Sequence, residues 1–208
     1  MKPALHRPNA PLSWLAAAAA SLILVAGCSA APGAAPQNAG GPAAAVSADG
    51  TAGAVLDKLG VSGLDTIAVV DALDQKAGER QRDVLASVRY DSVVLKDGDR
   101  EASLKIPDGR FYLSVAPYVE QTHECFYHSL TSCKGELADK SVDVTITDST
   151  GKTLVDGPVT TYANGFVGFW LPRDIAGTIT VKYDGRTATS PISTGKDAPT
   201  CLTTLQLT

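Results

Sequence analysis

From Arg82 onward, apolar side chains recur at every second position, and this period-2 pattern constrains the chain more than any other feature. In EASLKI, Ala102, Leu104 and Ile106 alternate with polar neighbours; in VDVTIT, Val142, Val144 and Ile146 do so; in TITVKY, Ile179, Val181 and Tyr183 do so. Each segment can bury one face and wet the other, which is the signature of antiparallel strands. Turn signals separate them: Asp97-Gly98, Asp108-Gly109, Thr150-Gly151, Asn164-Gly165 and Asp184-Gly185. The last is a two-residue hairpin turn of the kind that requires positive φ. Strands punctuated this regularly predict a β-sandwich or small barrel, with the more apolar run from Phe166 to Leu171 as its central strand.

Ahead of the strands the texture is different. Residues 52–60 and 64–74 are rich in Ala and Leu, with Val55, Leu56 and Leu59, then Ile67, Val70 and Leu73, near helical spacing. Two short helices are expected, with Gly60 and Gly63 in the turn and Ser62 or Asp65 capping the second. These helices read as packing or oligomer surface without chemistry. The fold class is therefore α+β, a short helical segment followed by a mostly antiparallel β-sandwich-like domain. From Ser141 to Ile192 the order of strands and turns loosely resembles a transthyretin or carboxypeptidase-regulatory type sandwich, a likeness of fold alone.

The first residues predict export. Lys2 and Arg7 precede an uncharged apolar run from Leu12 to Ala26 that closes on Val25-Ala26-Gly27-Cys28. At about fifteen residues the run falls short of the roughly 20 that a spanning helix needs, and small residues stand where a signal peptidase cuts. Residues 1–27 are expected to be a lipoprotein signal peptide, with Cys28 acylated at the new N-terminus. Residues 28–50, rich in Ala, Gly and Pro, carry too little apolar surface to offset ordering entropy and read as a flexible linker.

Loss of the leader takes away Lys2 and Arg7 and leaves 16 Lys and Arg against 22 Asp and Glu. An acidic excess spread along the chain argues against nucleic acid, whose phosphates need clustered basic residues.

Three cysteines remain once Cys28 is spent on lipid: Cys125, Cys133 and Cys201. An odd number outside the cytoplasm leaves at least one thiol outside any internal disulfide. Cys125 and Cys133 flank a loop in HECFYHSLTSC, while Cys201 lies in APTCLTTLQL, so convergence of all three requires the final strand to lie beside that loop. One reading closes the loop with a Cys125–Cys133 disulfide and leaves Cys201 buried and inert. Another is a soft-metal site, because three thiolates suit trigonal Cu(I) better than tetrahedral zinc. His123 or His128 would complete a Cys3His zinc site. In an extended segment His123 shares a face with Cys125 and His128 points away. The histidines are five apart, not the four of HExxH, so a zincin helix is excluded. A cysteine nucleophile beside His123 or His128 lacks any protease signature. Phe126, Tyr127 and Phe169 are candidates to shield the cluster.

The blocks HECFYHSLTSCKGEL, NGFVGFWLPRDIAGTI and DAPTCLTTLQL, with ASVR at 86–89 and FYLSVAPYV at 111–119, closely resemble the CueP family of periplasmic copper-binding proteins. The likeness runs from about Leu56 to Leu207. It implies an exported protein linked to copper resistance that binds Cu(I) through the cysteines matching Cys125, Cys133 and Cys201. It further implies a two-part protomer, in which residues 51–110 form a helical and strand region engaged in homodimer contact and residues 111–208 form the β-rich copper-binding domain. Members are also associated with reducing Cu(II) and delivering copper to other extracytoplasmic proteins. The lipobox departs from a family whose name suggests soluble members.

These readings combine into a Cu(I)-binding protein anchored to the cell membrane through Cys28 and serving copper resistance. Its expected partners are the copper ion, a copper-receiving extracytoplasmic protein and a second copy of the chain, with no nucleic acid. Cys125, Cys133 and Cys201 are the metal ligands, and His123 and His128 additional candidates. Two other classes compete with this one: a disulfide-stabilised β-sandwich recognition module at the cell surface, and a thiol or copper redox enzyme.

Overall fold

The computed structural model describes residues 50–76 and 83–208. The expected signal peptide and the Cys28 lipidation site lie outside the described residues. Among the described residues, no helix is long and apolar enough to cross a membrane.

Two short helices come first, α1 (Gly50–Leu59) and α2 (Thr66–Gln75). Val55, Leu56 and Leu59 of α1 and Val70 and Leu73 of α2 are buried as their spacing predicts, whereas Ile67 is only half-buried and Val69 is buried in its stead. Asp65 caps α2, its carboxylate accepting from the Ala68 N–H at 2.9 Å. Both helices share a core with an antiparallel sheet in the order β1 (Val84–Val88), β2 (Ser92–Asp97) and β3 (Arg100–Lys105).

A second core lies between two further sheets. One is three-stranded, with β4 (Arg110–Val115) between β7 (Val167–Pro172) and a short parallel partner, β10 (Cys201–Leu202). The other is antiparallel, in the order β6 (Thr153–Thr160), β5 (Ser141–Asp148), β8 (Ala176–Tyr183) and β9 (Arg186–Ser193). Phe111, Leu113, Val115 and Leu171 from the first pack with Val142, Val144, Ile146, Ile179 and Val181 from the second, which makes a sandwich. The alternation read from the sequence decides which side chains enter this core. Asp184 and Gly185 both adopt positive φ, 51° and 75°, and close the β8–β9 hairpin as the sequence predicts.

The placement of the central strand is corrected. β7, the expected centre, pairs only with β4 and stands at the margin of its sheet, whereas β4 is flanked on both sides. The physical reason is two-sided burial. All five residues from Phe111 to Val115 are buried, because the helical core covers one face of β4 and the sandwich core the other. β7 alternates buried and half-buried positions.

Candidate metal centre

Between β4 and β5 the chain runs through a long segment, residues 116–140, that lacks a named strand and carries His123, Cys125, His128 and Cys133. Backbone pairing pins it at several points. The His128 carbonyl accepts from the Val88 N–H, and the Leu130 N–H donates to Ala86, so residues 128–130 line the free edge of β1. A tight turn follows in which Cys133 N–H donates to the Ser129 carbonyl at 3.1 Å, and the Ser129 N–H in turn donates to Cys133 Sγ at 3.3 Å. The final strand meets the condition set by the sequence. Thr200 and Cys201 both donate their N–H to the Phe126 carbonyl, while β10 pairs in parallel with β4. Cys201 is thereby laid beside Cys125 and Cys133 across 76 and 68 residues of sequence.

The three sulfurs form one cluster. Cys125 and Cys201 are joined in a disulfide, and Cys133 Sγ lies 3.6 Å from Cys125 Sγ. This corrects the local Cys125–Cys133 pairing: the long-range contact through β10 brings Cys201, not Cys133, into bonding position. Two sets of donors each lie within 4.8 Å of one another, one made of His123, Cys125 and Cys133, the other of His128, Cys133 and Cys201. The first opens to solvent at an exposed His123; all three residues of the second are buried. His128 Nδ1 stands 3.7 Å from Cys201 Sγ.

Helix α2, expected to be inert, supplies the charge behind this cluster. Asp74 is fully buried, and its Oδ1 lies 2.9 Å from His128 Nε2. The same carboxylate accepts from the Tyr112 hydroxyl at 2.7 Å, the Ser114 hydroxyl at 3.1 Å and the Asn164 amide at 2.8 Å. Burying a lone carboxylate is costly, and this many donors offset the cost. Burial pushes the Asp74 carboxyl up, but the His128 charge and the hydrogen bonds outweigh it and hold the carboxyl below its ordinary range. Burial likewise opposes charge on His128, yet Asp74 raises the imidazole to about 9. Cys133 balances the same way: desolvation raises the thiol, while the His128 hydrogen bond and charge and the Ser129 N–H bring it below its usual value. The arrangement favours a thiolate, the form that binds soft metals.

A sequence signal for Asp74 exists. It falls on the line Thr66, Val70, Asp74, four residues apart and all buried, so an acid occupies the apolar face of a helix. Asn164 sits in the turn after β6, donates to both the Asp74 carboxylate and its carbonyl, and accepts from the Phe166 N–H. That turn approaches the Cys133 segment so closely that a Cβ on Gly135 would collide with the Gly165 carbonyl. Nor is there room for a side chain at Gly168, against which the Tyr112 ring lies as it reaches Asp74.

The expected shield also changes. Phe126 and Tyr127 are exposed, at 50% and 43%, and Phe169 belongs to the sandwich core. Phe166, fully buried, packs with Cys133 and Cys201 and faces both imidazoles, its ring centre 6.2 Å from that of His123 and 4.7 Å from that of His128. Chain direction explains the exchange: Phe166 precedes β7 on the site side, and Phe169 points between the sheets.

A family model described as periplasmic copper-binding protein CueP matches residues 68–206, a span that holds every residue of this cluster. A solved structure described as the crystal structure of S.CueP is similar over 75% of this chain and 96% of that one, with a TM-score of 0.71 and 41% sequence identity. Among curated proteins, none matches.

Proposed function

Because the chain belongs to the CueP family of periplasmic copper-binding proteins, we propose that it captures copper outside the cytoplasm as Cu(I), held by the thiolates of Cys125, Cys133 and Cys201, and so serves copper resistance. The observation that carries this reading is the convergence of three sulfurs from distant parts of the chain into one mostly buried cluster, with His123 at its exposed side and His128 at its buried side. Thiolates select Cu(I) over harder ions, and three sulfurs with an imidazole at hand suit its low coordination number. Reduction of the Cys125–Cys201 disulfide is required before both sulfurs can ligate. His128 would release a proton on binding and offer Nδ1, while Asp74 keeps the Nε2–H. Acylated Cys28 would hold the protein at the membrane face, where arriving copper is met, and a copper-receiving extracytoplasmic protein would unload it.

The test is competition between the reduced protein and a colorimetric Cu(I) chelator. One Cu(I) retained per chain is expected, with retention lost in Cys133→Ser. No retention by the reduced wild type would overturn the reading.

The disulfide favours a second role, which spends two of the three thiolates and so alternates with three-sulfur capture. Two thiolates, Cys125 and Cys201, can each pass one electron to a Cu(II) ion, giving two Cu(I) and the disulfide. Adding Cu(II) to the reduced protein should then yield Cu(I) in step with the loss of two thiols.

A further inference from the structure

Cys133 is the sulfur that both imidazoles of the cluster approach. Its Sγ lies within 4.8 Å of a ring nitrogen of His123 on the exposed side and of His128 on the buried side, yet among the described residues no set of donors joins the two imidazoles. One thiolate with two imidazoles on a single ion is the arrangement of electron-transfer copper sites, which hold Cu(II) as well as Cu(I). The ring of Phe166 stands against all of these groups. It is fully buried, packs with Cys133 and Cys201, and has its centre 6.2 Å from that of His123 and 4.7 Å from that of His128. Its backbone is pinned: the Phe166 N–H donates to Asn164 Oδ1 at 2.8 Å, its carbonyl accepts from the Tyr162 N–H at 2.6 Å, and Gly165 before it abuts the Gly135 backbone. His128 is equally fixed, through Nε2 on Asp74. Only His123 is placed to move inward, and in a close-packed interior its ring cannot enter volume that Phe166 fills.

We propose, resting on the Cu(I)-binding reading above, that Phe166 sets the oxidation state of copper that the cluster accepts. It wedges His123 apart from His128, so Cys133 cannot take Cu(II) together with both imidazoles, and the site is left to the sulfur-rich ligand set that prefers Cu(I). The wedge matters most in the oxidised protein. There Cys125 and Cys201 are tied up in their disulfide, and Cys133, His123 and His128 are the remaining donors of the cluster. Without the wedge these three would hold Cu(II) on a protein that lacks the thiolates to reduce it. With it, the oxidised protein releases Cu(II) until its disulfide is reduced. Phe166 touches no electron or proton in this role; it positions the imidazoles.

The test uses the full chain with its disulfide intact, titrated with Cu(II) and followed by visible absorption and electron paramagnetic resonance. Phe166→Val keeps an apolar side chain and the backbone pairing but vacates the space of the ring. It should develop a thiolate-to-Cu(II) charge-transfer band that the wild type lacks, and bind Cu(II) at least about tenfold more tightly. Phe166→Leu, which fills more of that space, should give a weaker band. Adding His123→Ala to Phe166→Val should abolish the band, because it needs both imidazoles; a core that had merely loosened would not depend on His123. A wild type that already shows the band, or a folded Phe166→Val that binds Cu(II) no better than the wild type, would overturn the proposal. Where Phe166→Val does not fold, Phe166→Leu decides on the same criteria. Chelator competition on the reduced wild type reads Cu(I) capture separately: Cu(I) retained while Phe166→Val leaves Cu(II) binding unchanged rejects the wedge alone, and no Cu(I) retained rejects the reading on which it rests.

Discussion

Asp74 and His128 are buried charges that stabilise each other, and the rest of the cluster is built against them. Replacing Asp74 with Ala would strand the Tyr112 and Ser114 hydroxyls, the Asn164 amide and a buried imidazole at once. Loss of one partner of a buried pair costs on the order of 3–5 kcal/mol, a decrease that denaturant unfolding of the metal-free protein should show. The pair also predicts a pH dependence. His128 is raised from 6.5 to about 9, so its contribution is fully present below about pH 6.5 and is lost as pH rises through about 9. Asp74, held low, contributes above the ordinary carboxylate range and loses that contribution as pH falls through its depressed value. Cys133, also lowered, works against the His128 trend at alkaline pH. Comparison with Asp74→Asn isolates the pair: the stability gap between wild type and variant should be widest between about pH 5 and 7 and narrow through about pH 9. A gap that stays constant from pH 6 to 10 would show that His128 is not held as a cation.

At the scale of elements, one carboxylate joins the two stretches that carry Cys125 and Cys133. Glu136 Oε2 accepts the backbone N–H groups of Val119, Glu120 and Gln121 at 2.8, 3.0 and 3.1 Å. Glu136 lies three residues after Cys133 and its partners four to six residues before Cys125, so the clamp ties together the two stretches that carry these sulfurs. Glu136→Ala should quicken hydrogen exchange at these three amides and weaken Cu(I) retention, with global stability nearly unchanged because the clamp is exposed. Equal protection in variant and wild type would show that backbone pairing alone holds the loop. Helix α2 similarly links capping to chemistry. Asp65 fixes the start of the helix whose last turn delivers Asp74, so Asp65→Ala is expected to cost about 1 kcal/mol in thermal unfolding.

For the whole molecule, the Cys125–Cys201 disulfide closes a loop of 76 residues that includes β5 to β9. In the chain-entropy picture such a closure is worth about 4 kcal/mol, so reduction should lower the unfolding midpoint and Cu(I) should restore much of the loss. Alkylation followed by peptide mapping should label Cys133 in the oxidised protein and Cys125, Cys133 and Cys201 in the reduced one. Labelling of Cys201 without reductant would mean that a different pair of sulfurs is bonded. The proposed copper ligands include both sulfurs of this cross-link, so the apoprotein's stability is expected to depend on its redox state.

Period-2 alternation and Gly-containing turns were enough to place the strand faces, because side-chain direction in a strand follows from position alone. Helical spacing located α1 and α2 for the same reason, and long, distinctive blocks around the three cysteines carried the family likeness. Local sequence could not decide which strand lies centrally, since burial of β4 on two faces depends on what packs against each. Neither could it choose the disulfide partner of Cys125, because Cys201 arrives only through the parallel pairing of β10 with β4. Asp74 was legible as an acid on an apolar helix face, but its partners lie 38 to 90 residues away, on β4, in the loop after it and in the turn after β6. Sequence alone determined the residue types and the faces they occupy; tertiary structure decided which of them meet, because electrostatics and ligation act over a few ångströms of space whatever the distance along the chain.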